Sequence, residues 1–147
     1  MSRVSCQNDA AVDEGPRRPH IAVLVVDDLL SYRRAVVSLV DLTEGFRVVG
    51  QAGSGEEALA FLEQHPVDLV LMDVTMPGWG GIQAAGRIRD RFPEVRVMLL
   101  SIYEAAWMTD AARAVGADFC PKERFGPEQL EDLWPDVGNA GFRDDDS

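Results

Sequence analysis

Cysteine is scarce in this chain, basic residues are outnumbered, and no apolar stretch approaches the length of a bilayer. Cys6 and Cys120 are the two cysteines in 147 residues. That is too few for a disulfide framework, and free thiols in a reducing cytoplasm are expected. Fourteen Lys and Arg face 25 Asp and Glu, a formal net charge of -11, which opposes nonspecific attraction to nucleic acid or anionic lipid. A helical membrane span needs about 20 consecutive apolar residues, and none occurs. The first twenty residues lack the apolar segment of a secretory signal. No Walker A or GxGxxG pattern follows any strand-like run.

What is present is one ordinary core. With 46% hydrophobic residues, a chain of this length is expected to form a single domain. Residues 1–19, which include Gly15, Pro16 and Pro19, read as a flexible arm. Residues 20–134 read as the folded unit, and 135–147, ending in Asp144-Asp145-Asp146, as an irregular acidic tail.

Within the folded unit two periodicities alternate. IAVLVV, FRVVGQA, VDLVLM, VRVMLL and ADFC are short runs with a β-branched bias, separated by stretches of helical spacing. In the first helix Tyr32, Ala35, Val36, Leu39 and Val40 share a face, with Arg33, Arg34 and Asp41 pointing away. Ser54 and Glu57 form a capping box at the start of the second, whose buried stripe is Ala58, Phe61 and Leu62 and which Pro66 stops. The third, Ile82 to Phe92, is weak because Ala84, Ala85 and Gly86 give it little bulk. The fourth runs from Glu104 to Val115, with Gly116 as its terminator. The fifth starts at Pro127 and is short, since Pro135 follows two turns later. Five strand–helix units in succession imply a doubly wound five-stranded parallel sheet, flavodoxin-like in architecture, with helices on both faces.

Ligands in such sheets bind outside the carboxyl ends of the strands. That edge collects Asp27 and Asp28 after VLVV, Asp73 after LVLM, Ser101 after VMLL and Lys122 after ADFCP. Three clustered carboxylates raise one another's pKa unless a cation compensates. Mg²⁺ suits the set, because it takes a few hard carboxylate oxygens plus a phosphate oxygen and keeps the rest as water. Asp73 then has the chemistry of a nucleophile toward phosphorus, with Lys122 and Ser101 pairing with phosphoryl oxygens. Taken singly, Asp28 reads equally well as a helix N-cap, Ser101 as a loop hydrogen-bonder and Lys122 as a solvated charge. His20 and His65 read as surface residues, and Trp107 and Met108 as packing or surface groups.

In this order and spacing, VVDD, MDVTMP, Ser101 and Lys122 resemble a response-regulator receiver domain of two-component signalling, over residues 21 to 126. FRVVGQAGSGEEAL followed by LMDVTMPG is similar to receivers of the LuxR/NarL type. The resemblance implies a (βα)5 fold and phosphotransfer from the phosphohistidine of a sensor histidine kinase. It implies Asp73 as phosphoacceptor, Asp27 and Asp28 as Mg²⁺ ligands with the backbone carbonyl of Thr75, Ser101 as switch hydroxyl, Lys122 as phosphate-pairing ammonium and Phe119 at the aromatic switch position. The protein is then a signalling switch, not an enzyme, beyond its own phosphorylation and dephosphorylation chemistry.

Three departures from the family pattern stand out. Trp79-Gly80-Gly81 replaces a segment in which the family often carries an Asp, placing a large ring near the metal. Phe119 has no hydroxyl, so its motion must be driven by packing. Thr75 and Tyr103 flank the expected path of water and are expected to tune the lifetime of the phosphoryl group. Only 21 residues follow Gly126, too few for a helix-turn-helix. The expected output is therefore contact with a downstream protein, without direct DNA or membrane binding. A phosphorelay intermediate serving a histidine phosphotransfer protein and a fragment of a longer transcription regulator are the alternatives. An Asp-nucleophile phosphatase of the haloacid-dehalogenase type is disfavoured, because Thr75 stands where that chemistry needs a second Asp.

Overall fold

Alternate side chains of each apolar run go to opposite sides of one parallel sheet, as the period of two requires. The computed structural model describes residues 20–103 and 105–135. In it β1 (Ile21–Val26), β2 (Phe46–Ala52), β3 (Leu69–Asp73), β4 (Arg96–Ser101) and β5 (Asp118–Pro121) lie in the order β2-β1-β3-β4-β5, all pairs parallel. Between and after them run α1 (Leu30–Asp41), α2 (Gly55–Gln64), α3 (Gly80–Arg91), α4 (Ala106–Ala114) and α5 (Pro127–Leu133), with a 3₁₀ turn at Lys122–Arg124. This is the doubly wound (βα)5 arrangement the spacing implies. The expected arm, Cys6, the tail beyond residue 135 and the start of the fourth helix at Glu104 lie outside the described residues.

The sheet divides the core in two. Val23, Val25, Leu69 and Leu71 pack with Val36 and Val40 of α1 and Leu130 and Leu133 of α5. Leu24, Val26, Val70 and Met72 pack with Ala58 and Leu62 of α2, Ala84 and Ile88 of α3 and Ala112 of α4. Every residue of β3 is buried, as expected of a central strand covered on both faces. Burying each such Leu or Val contributes about 1.5–3 kcal/mol.

The helices form for locally legible reasons, with two corrections. Ser54 Oγ accepts a hydrogen bond from Glu57 N at 3.1 Å, but the Glu57 carboxylate returns to Gly53 N, 2.8 Å away, one residue before the cap. On α1, Ala35 is exposed and Arg33 does not point away. Its guanidinium donates to the Asp27 carbonyl at 2.7 Å and to Gln51 Oε1 at 3.2 Å, tying the end of β1 to β2. The low-bulk α3 holds because its small residues allow close approach: a methyl at Gly55 of α2 would stand 2.7 Å from Ala84 Cβ. Ile88, fully buried, supplies the apolar area. Gly116 ends α4 with φ +74°, a left-handed conformation suited to glycine.

Candidate functional site

The strand order reverses between β1 and its two neighbours, β2 and β3, and the crevice at that switch point opens at their carboxyl ends. Asp27 follows β1, Asp73 ends β3, Ser101 ends β4, and Lys122 begins the turn after β5. The parallel register seats Pro121 beside Ser101 and Asp73 beside Leu100. Residues separated by up to 95 positions therefore meet at one edge.

Lys122 joins two of the carboxylates. Its Nζ is 3.0 Å from Asp27 Oδ2 and 3.2 Å from Asp73 Oδ1, and all three side chains are at most 9% exposed. Asp27 uses its other oxygen, Oδ1, to accept from Leu29 N at 2.9 Å, holding the turn into α1. Asp28 is exposed, and the N-cap of α1 is Leu29, without a side-chain cap bond. The N-cap reading of Asp28 therefore falls away. One carboxylate oxygen from each of Asp27, Asp28 and Asp73 lies within 4.8 Å of the others. Burial pushes the Asp73 carboxyl above the ordinary carboxylate range and the Asp27 charge adds to this. The Lys122 ammonium and the Thr75 backbone N–H oppose it.

Three carboxylates against one ammonium leave a surplus of negative charge in a largely buried place, with Asp28 open to solvent. Hard oxygen donors in that number, and an open side, fit a divalent cation that retains water. The acidic pocket is thus compatible with a site for such an ion.

The remaining expected residues sit around this cluster. Ser101 is buried, and its Oγ accepts from Tyr103 N at 3.0 Å; that contact uses a lone pair and leaves the O–H free to donate. Thr75 is exposed, and so is the Tyr103 side chain. Phe119 is half-buried against the α2–α4 side of the core. Trp79, the residue expected to bring a large ring near the metal, is half-buried at the start of α3. It packs over Gly55 with the Arg87 guanidinium 4.3 Å from its centroid, bridging α2 and α3. Met108 is buried and Trp107 exposed; His20 and His65 are exposed, His65 stacking on Phe61 with centroids 4.3 Å apart.

Two contributors carry no motif in the sequence that marks them as part of the site. Tyr32, on the core face of α1 by its helical period, places its ring centroid 4.0 Å from Lys122 Nζ. Its phenol is pushed up to about 12, first by burial and then by Asp27, Cys120 and Asp73. Arg33, on the outward face of α1 by the same period, holds the Asp27 carbonyl. The available signal was their position in the first turn of the helix that follows Asp28.

A doubly wound (βα)5 domain with an acidic, lysine-bridged pocket at the carboxyl ends of β1 and β3 is the architecture of a phospho-accepting switch. The family model of the response regulator receiver domain matches residues 23–133, and the chain belongs to that family. Receivers of this family act as phosphorelay switches in two-component systems, with a histidine kinase or phosphotransfer protein as donor, and not as classical enzymes. The chain is 40% identical over 146 residues to the response regulator GacA of Pseudomonas viridiflava, covering 83% of this chain and 68% of that protein. It is 36% identical over 83 residues to the response regulator UvrY of Escherichia coli K12, covering 56% of this chain but 38% of the relative. The receiver domain of the putative response regulator NarL from Mycobacterium tuberculosis superposes with a TM-score of 0.74 at 30% identity, covering 82% of this chain and 98% of that one. The CheX-CheY-BeF3-Mg complex from Borrelia burgdorferi gives 0.69 at 26% identity, covering 80% and 89%. Among the described residues, no helix is long and apolar enough to cross a membrane.

Proposed function

We propose that Asp73 is the phosphoacceptor of a receiver domain spanning residues 20–134, working in the cytoplasm. The donor is the phosphohistidine of a sensor kinase or a phosphotransfer protein. An Asp73 carboxylate oxygen attacks phosphorus, the P–N bond to the donor imidazole breaks, and the imidazole leaves with the bonding pair and takes up a proton. The product is a mixed anhydride on Asp73.

Asp27, Asp28, Asp73 and the Thr75 carbonyl would hold Mg²⁺, which supplies charge neutralisation for the incoming phosphoryl oxygens. Lys122 neutralises a further oxygen, and the free O–H of Ser101 donates to another. Drawing Ser101 inward would bias the segment that follows β4 between two arrangements. Phe119, without a hydroxyl, would follow by packing alone. Thr75 and Tyr103, both exposed at the rim, would control the approach of water and so the lifetime of the acyl phosphate. A downstream protein would read the outcome. The net charge of -11 disfavours direct contact with DNA.

The observation that carries this reading is Lys122 Nζ held between two buried carboxylates at 3.0 and 3.2 Å. The experiment is incubation with Mg²⁺ and acetyl phosphate, followed by mapping of acid-stable, base-labile label. Label is expected on Asp73 and is expected to be absent from Asp73→Asn. An Asp73→Asn chain that labels like the parent removes Asp73 from the role.

A further inference from the structure

We propose that Tyr32 is a positioning residue for Lys122, its ring face holding the ammonium at the height where the phosphoryl group arrives. This rests on the reading of Lys122 as the cation that pairs with that group.

Lys122 approaches the pocket from the turn after β5 on four flexible methylenes, whose freedom must be lost for Nζ to stay in place. Two carboxylates attract it, Asp27 at 3.0 Å and Asp73 at 3.2 Å. Both belong to the acidic cluster that fits a divalent ion, so both contacts weaken when cation and phosphoryl oxygens enter. The third neighbour is different in kind. The Tyr32 ring centroid is 4.0 Å from Nζ, and a neutral π-face keeps its attraction for an ammonium whatever binds the carboxylates.

The contact is sheltered on both sides. The Lys122 side chain is 9% exposed, and Tyr32 packs against the core between the sheet, α1 and α5. Desolvation makes such a contact stronger than at a surface. Its position is also rigid, because Arg33, the next residue, pins the first turn of α1 to the Asp27 carbonyl. The aromatic face, not the hydroxyl, is what the geometry presents to Nζ.

The test separates face, hydroxyl and bulk. Tyr32→Phe keeps the ring; Tyr32→Leu keeps an apolar body without a π-face. With Mg²⁺ and saturating acetyl phosphate, the maximal labelling rate of Tyr32→Leu is expected to fall about 3- to 10-fold, while Tyr32→Phe stays within about 2-fold of the parent. In a Lys122→Met background, Tyr32→Leu is expected to add no further loss. A second readout needs neither metal nor donor: the Lys122 ε-methylene protons should be shifted upfield by the ring current in the parent and in Tyr32→Phe, and lose that shift in Tyr32→Leu. If Tyr32→Leu does not fold, Tyr32→Met takes its place.

A folded Leu or Met variant labelled at the parent rate, a Phe variant as slow as Leu, or an unshifted Lys122 in the parent overturns the proposal. Failure of the parent to label on Asp73 overturns the phosphoacceptor reading instead, and the ring-current shift still decides the place of Tyr32.

Discussion

The α-carbon of Gly81 lies so close to Asp73 that a methyl group on it would stand 2.2 Å from the Asp73 carbonyl oxygen. Gly81 N also donates to the Val74 carbonyl at 2.8 Å, closing the loop between β3 and α3. The backbone that aims the Asp73 carboxylate is therefore braced by the first turn of α3. Gly81→Ala must push the two apart. The expected cost is about 1–3 kcal/mol, the range for forced overpacking, read as a lower urea midpoint. Labelling on Asp73 should fall further than the loss of folded protein explains. Parent-like labelling in the folded Ala variant would show that the brace does not aim the carboxylate.

Removing the Asp73 charge should stabilise the metal-free protein. Burial and the neighbouring Asp27 carboxylate raise the Asp73 pKa above its ordinary 3.8. For an acid raised in the folded state, the favourable contribution is fully present below the ordinary value and is lost as pH rises through the folded one. At pH 7 the unfolded chain carries Asp73 ionised at no cost while the folded protein must bury that charge or a proton, and Asp73→Asn avoids the penalty. The Asn variant is therefore expected to melt at a higher temperature than the parent at pH 7. The gain should shrink as the pH is lowered into the carboxylate range. Denaturation curves at pH 7 and at mildly acid pH check both halves, and an Asn variant no more stable than the parent at pH 7 refutes the sign.

Asp28 offers a contrast, because it is exposed while its partners are buried. Asp28→Asn should leave metal-free stability within about 0.5 kcal/mol of the parent, as surface changes do. Mg²⁺ at 100 times its dissociation constant should stabilise the parent by about 2.7 kcal/mol, an effect that a chelator abolishes and that Asp28→Asn needs far more Mg²⁺ to reproduce. Thermal melts across a Mg²⁺ series measure this. An unchanged midpoint concentration in the variant would take Asp28 out of the ligand set.

Arg33 ties β1, β2 and α1 with two hydrogen bonds from one guanidinium, to the Asp27 carbonyl and to Gln51. Arg33→Ala is expected to cost on the order of 1 kcal/mol and to weaken Mg²⁺ binding, since the turn that carries Asp27 and Asp28 loses its tie. Arg33→Lys should restore little, because an ammonium lacks the planar fork that reaches both acceptors. Full recovery in the Lys variant would mean that charge alone is what the position requires.

The fold was legible because its signals are local and repeated. Five β-branched runs spaced by helical periods permit few arrangements other than a covered parallel sheet, and the polar residues at the ends of four of them mark the edge where ligands bind. Ser54, Pro66, Gly116 and Pro127 placed helix ends because capping and backbone geometry depend on a few neighbouring residues. Asp27, Asp28, Asp73, Ser101 and Lys122 could be assembled on paper, because strand order brings all strand ends to one side.

What surrounds those groups was not legible. Tyr32 and Trp79 are large side chains that a helical pattern assigns to a face but not to a neighbour. Arg33 looks solvated until the ends of β1 and β2 come within its reach. Gly81 looks like a flexible loop residue until the Asp73 carbonyl is seen against it. The chain alone determines its periodicities, its charge and the chemical identity of its strand-end groups, since these depend on residues close in sequence. The tertiary structure alone decides that Lys122 bridges Asp27 and Asp73, that Tyr32 lies against that ammonium, and that Trp79 turns to α2 and α3. Those contacts join segments far apart in the chain, and the packing of the whole sheet sets their distances.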